Sequence, residues 1–123
     1  MSGINYSFDT NALIHFFKGN PNLRKFIDGS VCLSIIAVIA FLSFPGIKEE
    51  DKILLSAFLK EVEVIDLTMD NTALLQTITQ LRSTYKIKLP DAIIAATAMH
   101  QQAILITNDK HFTSISSLQT ITY

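Results

Sequence analysis

Residues 88–109 read KLPDAIIAATAMHQQAILITND, and this stretch indicates a helix followed by a buried strand. Pro90 and Asp91 are typical of the first turn of a helix, which we expect to run to about Gln101. Residues 103–107 form a compact apolar segment, as strands buried on both faces do. A helix leading directly into such a strand predicts a parallel sheet covered by helices.

The same alternation extends over the rest of the chain. Apolar or alternating segments predict further strands, and helical periodicity or helix-start signals predict the helices between them. The predicted strands are 4–8, 31–35, 62–67 and 118–122, and the predicted helices are 12–18, 21–27, 37–44, 49–59 and 70–84. We therefore expect the α/β class, with a parallel β-sheet flanked by helices on both faces and a single domain over residues 1–123.

Composition excludes several classes of protein. Of the 123 residues, 49% are hydrophobic and only 17% are charged, which excludes a disordered chain. The formal net charge of −1 excludes a polycation that holds nucleic acid by bulk charge, so any nucleic-acid chemistry needs a local site. The four glycines are scattered and no glycine-rich loop follows a strand, which argues against an unrelated phosphate-binding domain.

Cysteine content and the apolar runs bear on the compartment. The single Cys32 excludes an internal disulfide and a cysteine-based zinc site, and its apolar surroundings predict a buried free thiol. The longest apolar run, 31–44, is shorter than the about 20 residues that span a bilayer. With no signal-peptide pattern, we expect a cytoplasmic protein without a membrane partner.

Three acids occupy matching places at the ends of predicted strands or the start of a helix. Asp9 ends the first strand, Asp109 follows strand 103–107, and Asp91 lies in the first turn of an apolar helix. Each has a simpler interpretation as a helix cap, a first-turn acid or a turn residue. Together at the carboxyl edge of one sheet, their oxygens would suit Mg²⁺ or Mn²⁺, which activate water in phosphodiester hydrolysis.

Four segments carry a resemblance to a known family. They are FDTNALIHFFKG at 8–19, SIIAVIAFLSF at 34–44, KLPDAIIAATA at 88–98 and ILITNDKHF at 104–112. In this order they resemble a PIN domain, and more narrowly a VapC-like toxin ribonuclease of a type II toxin–antitoxin system. The resemblance implies a PIN-like three-layer fold, Mg²⁺- or Mn²⁺-dependent endonucleolytic cleavage of RNA such as tRNA, a homodimer, and a cognate antitoxin.

The resemblance also implies roles for single residues. Asp9, Asp91 and Asp109 match the family's catalytic, metal-ligating acids. Asn11 matches a neighbour whose amide helps to hold the first acid, and Thr107 matches a hydroxyl residue that orients ligands.

The chain departs from the family pattern at two places in the site. Members usually read Ser-x-Ile-Thr-x-x-Glu-Leu after the second strand, whereas residues 34–41 read SIIAVIAF. Ala40 stands in place of the Glu, Ala37 in place of the Thr and Val38 where another acid is frequent. His111 replaces a second Asp and is either a surface residue or a substitute ligand. Because alanine cannot ligate a metal, we expect an impaired ribonuclease.

The alternatives stay open on sequence alone. The chain is either an active enzyme or a catalytically inactive binding module that keeps dimer, antitoxin or RNA binding. The loss at Ala40 is compatible with engineered inactivation, natural decay or altered metal use.

Three further groups of side chains have both a functional interpretation and an ordinary one as core or solvated surface residues. They are two histidines (His15 and His100), a basic rim for RNA (Lys18, Arg82, Lys86, Lys88 and Lys110) and an aromatic patch for a partner (Phe16, Phe17, Phe41 and Phe44).

Overall fold

The computed structural model describes residues 3–123, and within them a five-stranded parallel sheet forms the centre of the molecule. The strands lie in the order β3-β2-β1-β4-β5, and every pairing is parallel. Their bounds are β1 Asn5–Phe8, β2 Ser30–Ser34, β3 Glu63–Ile65, β4 Ala103–Ile106 and β5 Thr120–Ile121. The predicted α/β class is confirmed.

The helices of the described chain connect these strands. They are α1 Thr10–Phe17, α2 Pro21–Arg24, α3 Ile35–Leu42, α4 Glu49–Leu59, α5 Thr72–Tyr85, α6 Leu89–His100 and α7 Lys110–Thr113. A parallel pairing needs such crossovers because each strand must return to the same edge of the sheet before the next begins.

Two apolar clusters cover the two faces of the sheet. Successive strand residues point to opposite faces, so Cys32 and Leu105 belong to the cluster that includes α5 and α6. Leu33 and Ile106 belong to the cluster that includes α1, α3 and α4. This arrangement confirms helices on both faces, and it confirms that the Cys32 thiol is free and buried.

The pairing of β1 with β4 positions the acids. Phe8 lies opposite Ile106, so the residues that follow, Asp9 and Thr107, emerge side by side at the carboxyl edge. β1 and β4 are thus neighbours in the sheet. Asp9 and Asp109 therefore share one edge of the sheet.

Helix α6 is buried along most of its length. Seven consecutive residues from Ala92 to Ala98 are buried, and four of them are alanines. Small side chains let this helix lie close to both the sheet and α5. The helix begins at Leu89 after Lys88, with Pro90 in its first turn, as the sequence predicts.

Several predicted boundaries are wrong by a few residues. Helix α3 begins at Ile35 rather than residue 37, because the Ser34 hydroxyl caps it by accepting a hydrogen bond from the Ile36 amide. The second strand accordingly ends at Ser34. The predicted strand 62–67 shrinks to three residues, with Leu67 exposed beyond its end. The segment 118–122 keeps only β5, and α2 ends at Arg24 rather than 27.

Helix α7 has no counterpart in the sequence predictions. Its four residues are too few to show a helical period. The Asp109 carboxylate caps it by accepting from the His111 amide at 2.9 Å.

Candidate functional site

Asp9 lies directly after β1 and is almost completely buried. Its Oδ1 accepts a hydrogen bond from the Ala12 amide at 2.8 Å, which caps α1, and its Oδ2 accepts from the Thr107 hydroxyl at 2.5 Å. The capping interpretation is therefore confirmed. Capping uses one carboxylate oxygen and leaves the charge of the group at the carboxyl edge of the sheet.

The ionised form of Asp9 is disfavoured where it lies. Burial raises its pKa above the ordinary value, and the charges of Asp109 and Asp91 raise it further. The hydrogen bonds from Thr107 and Ala12 act in the opposite direction without reversing the shift. Asp9 is thus a buried acid close to two other acids, and a bound cation would reduce the repulsion between their charges.

Thr107 links two of the acids. It is fully buried, and its hydroxyl donates to Asp9 while accepting from the Asp109 amide at 3.0 Å. The Thr107 amide donates to the Ile121 carbonyl at 3.0 Å, so β5 fixes the residue from the other side. Thr107 therefore holds Asp9 and the start of the Asp109 turn in a fixed relation.

Asp91 lies in the first turn of α6 and is half-buried. Burial raises its pKa, and the charge of Asp109 raises it further. Lys88 and His111 are close enough to act in the opposite direction. The acid on α6 and the acid after β4 therefore face the same space, as the sequence predicts.

Asp109 is partly exposed, and a histidine side chain contacts its carboxylate. The Nδ1 atom of His111 lies 2.9 Å from the Asp109 Oδ1, and the His111 ring is mostly exposed. His111 is thus a surface residue that contacts an acid of the site. A second Asp at this position would instead place another negative charge beside Asp109.

These groups line an open cleft. Its volume is about 300 Å³, and the side chains around it include two acids, an imidazole and two amines. The lining residues are Tyr85, Lys86, Ile87, Lys88, Asp91, Asp109, His111 and Ser114. Of the predicted basic rim, only Lys86 and Lys88 line this cleft.

The donor chemistry fits Mg²⁺ or Mn²⁺. Carboxylate oxygens are the ligands these ions prefer, and Mg²⁺ is commonly held by one or two carboxylates while it keeps several waters. Within residues 3–123, however, no group of three or more His, Cys, Asp or Glu side chains is placed so that it could hold a metal ion. A metal site formed by Asp9, Asp91 and Asp109 together therefore stays a proposal.

Ala40 lies on the helix between the two acid-bearing helices. Helix α3 contacts both α1, which Asp9 caps, and α6, which carries Asp91. Ala40 is half-buried, and its methyl group offers no ligand. The departure noted in the sequence thus removes a carboxylate from an element that contacts both sides of the site.

The Asn11 side chain has a different setting from the predicted one. Asn11 is exposed in the first turn of α1, and among residues 3–123 its amide forms no hydrogen bond with Asp9. Ala12 and Thr107 hold the acid instead. A supporting role for Asn11 stays a prediction.

Two residues near the site were missed by the sequence analysis. The Asn108 side chain accepts from the Tyr123 amide at 2.8 Å and donates to its carbonyl at 2.9 Å. The Tyr123 hydroxyl lies 2.6 Å from Nδ1 of His15. Burial and the charge of Asp9 raise the pKa of Tyr123 to about 12. Only the pairing of β4 with β5 brings these residues together, and no local pattern signals it.

A second, apolar groove lies away from the acids. It has a volume of about 380 Å³ and is formed by α1, α3, the loop that follows and the start of α4. Phe41 at its base is buried, whereas Phe17 is half-buried and Phe44 is exposed. The groove residues are Ile14, Phe17, Lys18, Phe41, Phe44, Gly46, Ile47, Lys48, Glu50 and Asp51. Most of the predicted aromatic patch therefore lines a groove.

The fold and the acids together define an α/β protein with an acidic cleft at the carboxyl edge of a parallel sheet. The family whose sequence profile matches is the PIN domain, over residues 6–118. The chain therefore belongs to the PIN domain family. No curated protein matches the chain significantly.

Solved structures with similar folds include toxin–antitoxin complexes. A toxin–antitoxin complex from Klebsiella pneumoniae is 28% identical, with 95% of this chain and 96% of that chain covered and a TM-score of 0.78. VapBC2 from Rickettsia felis, bound to a promoter DNA fragment, is 21% identical, with 98% and 99% covered and a TM-score of 0.81. VapBC-1 from nontypeable Haemophilus influenzae is 23% identical, with 97% and 98% covered and a TM-score of 0.75.

None of the helices in residues 3–123 has the length and apolar character needed to cross a membrane.

Proposed function

We propose that this PIN domain is a metal-dependent endoribonuclease toxin of a toxin–antitoxin pair, acting on RNA with tRNA-like substrates. The observation that carries the proposal is that Asp91 and Asp109 line one cleft and are both close enough to raise the pKa of the buried Asp9. A buried acid repelled by two others is costly unless the cluster binds a cation.

Each acid has a distinct task under this proposal. Asp9, fixed by Thr107 and Ala12, is the rigid ligand, while Asp91 and Asp109 complete the set from α6 and from the turn after β4. Mg²⁺ or Mn²⁺, when bound, would activate water and neutralise charge on the phosphodiester. The residues of the chain would fix the position of the ion and exclude bulk water from Asp9.

Activity should be impaired because Ala40 supplies no carboxylate. Removing one essential group from a catalytic site commonly costs orders of magnitude in rate. The His111 imidazole contacts the Oδ1 atom of Asp109, so a metal ion would compete with it for that oxygen. We therefore expect slow cleavage with Mn²⁺.

A cognate antitoxin is the second proposed partner, and the groove defined above is its docking site. The groove is apolar at its centre, with Lys18, Lys48, Glu50 and Asp51 around it, so it suits an apolar segment flanked by charges. The antitoxin complexes among the structural neighbours support this proposal.

Exposed apolar side chains on α3 and α4 (Ile39, Leu42, Ile53 and Leu54) support a homodimer. We place the complex in the cytoplasm.

The alternative function is a catalytically inactive binding module that keeps the dimer, antitoxin or RNA surfaces. The absence of a carboxylate at Ala40 favours this alternative, because the fold and the apolar groove are intact while one expected metal-ligating side chain is missing. Cleavage by the unaltered chain distinguishes the two functions.

The test compares cleavage of bulk tRNA in Mn²⁺ by the chain, by Asp9→Asn and by Ala40→Glu. Ala40→Gln is the matched control, since it has the same size without the charge. We expect slow cleavage by the chain, none by Asp9→Asn, and faster cleavage by Ala40→Glu but not by Ala40→Gln. Cleavage only after Ala40→Glu would establish the binding module, and no cleavage by any variant would overturn the ribonuclease assignment.

A further inference from the structure

His15 and Tyr123 form a hydrogen-bonded pair, and Tyr123 is close enough to Asp9 for the charge of that acid to raise its pKa. The Tyr123 hydroxyl lies 2.6 Å from Nδ1 of His15, and the two rings meet edge to face with their centres 5.7 Å apart. His15 is exposed on α1, and Tyr123 is half-buried at the end of the β5 segment.

The pair is joined to the acids by a chain of hydrogen bonds. Both backbone groups of Tyr123 bond to the Asn108 side chain, and Asn108 lies between Thr107 and Asp109. Thr107 in turn donates to Asp9. The phenol is therefore held by the same turn that holds the acids.

The contact with Tyr123 decides which ring nitrogen of His15 is left for a ligand. The Tyr123 hydroxyl occupies Nδ1, and because the pKa of Tyr123 is raised to about 12 this hydroxyl is protonated near neutral pH. In the tautomer in which the Tyr123 O–H donates to Nδ1, the ring proton of the neutral imidazole lies on Nε2. Within residues 3–123 that Nε2 has no hydrogen-bond partner.

A phosphate-contacting group is needed at this place if the chain acts on RNA. Asp91 and Asp109 in the cleft and the nearby Asp9 repel a polyanion, and a net charge of −1 supplies no general attraction. His15 lies six residues after Asp9 on the same helix, about 9 Å along its axis. Nucleotides next to a phosphodiester bound at Asp9 come within reach of such a donor.

We propose that His15, oriented by Tyr123, is a substrate-binding residue that donates a hydrogen bond from Nε2 to a backbone phosphate of single-stranded RNA beside the cleaved position. This inference rests on the proposed ribonuclease function and adds the residue that positions the strand. Tyr123 is a positioning residue, since it acts through His15.

The test measures RNA binding without cleavage. A fluorescein-labelled 20-nucleotide single-stranded RNA of mixed sequence is titrated with the full chain in EDTA, and fluorescence anisotropy gives the affinity. We expect His15→Ala to weaken binding about tenfold, as for a lost hydrogen bond to a charged group. Tyr123→Phe keeps the ring but frees the imidazole, so a smaller loss of about threefold is expected.

His100→Ala is the matched control. His100 is also an exposed histidine bonded to a hydroxyl, with its Nε2 2.8 Å from Thr77 Oγ1, but it lies at the far end of α6 from Asp91. We expect its RNA affinity to be unchanged.

Melting temperatures of the variants separate binding from structure. If the His15–Tyr123 bond only fastens the end of the chain, His15→Ala and Tyr123→Phe will melt lower yet bind RNA as the parent does, which overturns the inference. An equal loss in His100→Ala also overturns it. If the parent chain itself binds no RNA, the inference and the proposed function both fail. If the parent binds RNA but the variants behave as just described, the inference fails alone, so the two failures are distinguishable.

Discussion

The two roles of Asp9 have opposite effects on the stability of the fold. As the cap of α1 it satisfies the Ala12 amide, which stabilises the fold. As a buried acid near Asp91 and Asp109 its ionised form is disfavoured, which destabilises the fold at neutral pH. The Thr107 hydroxyl offsets part of this cost. A residue that costs stability in this way is typical of a functional site.

We predict that Asp9→Asn raises the free energy of unfolding at about pH 8 in EDTA. Asparagine keeps the capping oxygen and removes the disfavoured charge. Because the folded-state pKa of Asp9 is raised, the penalty is full above that pKa and disappears as the pH falls through it. Urea unfolding at intervals down to about pH 4, near the unfolded pKa, should show the gain shrinking to nothing.

The control for this prediction is Asp9→Ala, which removes both the charge and the cap. It should be less stable than Asp9→Asn by about 1 kcal/mol at any pH, the usual worth of a capping side chain. If Asp9→Asn unfolds more easily than the parent at about pH 8, the account of a disfavoured carboxylate is wrong.

How far single residues could be predicted depended on their neighbours in sequence. The three acids stand in local motifs, so their places at strand ends and a helix start could be predicted. Asn108 and Tyr123 are joined only through the β4–β5 pairing, which no local pattern encodes. The environment of His111 was equally inaccessible, because the cap at Asp109 belongs to a helix too short to predict.

At the scale of elements, α6 connects the core to the site. Its buried alanines bring it close to the sheet, and its first turn carries Asp91 to the cleft. The presence of the longer helices and their approximate bounds could be predicted from apolar periodicity. The start of α3 could not, because the Ser34 cap begins the helix at Ile35, which the apolar run had assigned to the strand.

We predict that Ala95→Leu in α6 destabilises the chain by about 1–3 kcal/mol, because a fully buried alanine leaves no room for three more carbons. Ala73→Leu is the matched control, since Ala73 is exposed on α5 and both residues are good helix formers. Urea unfolding should leave the Ala73 variant within about 0.5 kcal/mol of the parent. Equal effects at the two positions would contradict the close packing of α6.

For the whole molecule, the small net charge hides an uneven distribution. Asp91 and Asp109 line one cleft and both raise the pKa of the nearby buried Asp9, while the glutamate expected on α3 is replaced by Ala40. The sheet order places Asp9 and Asp109 at the same carboxyl edge, which the α/β pattern predicted because parallel strands share that edge. We propose that the three acids act as one metal site.

Mn²⁺ binding tests this claim most directly. Electron paramagnetic resonance of free Mn²⁺ during titration should show one bound ion in the parent, and at least tenfold weaker binding in Asp9→Asn and in Asp91→Asn. Asp66→Asn is the control, because Asp66 follows β3, two strands from β1 at the same edge, and lies outside the cleft. We predict unchanged binding for Asp66→Asn. Binding that survives both Asp9→Asn and Asp91→Asn, or that falls equally in Asp66→Asn, would contradict the account.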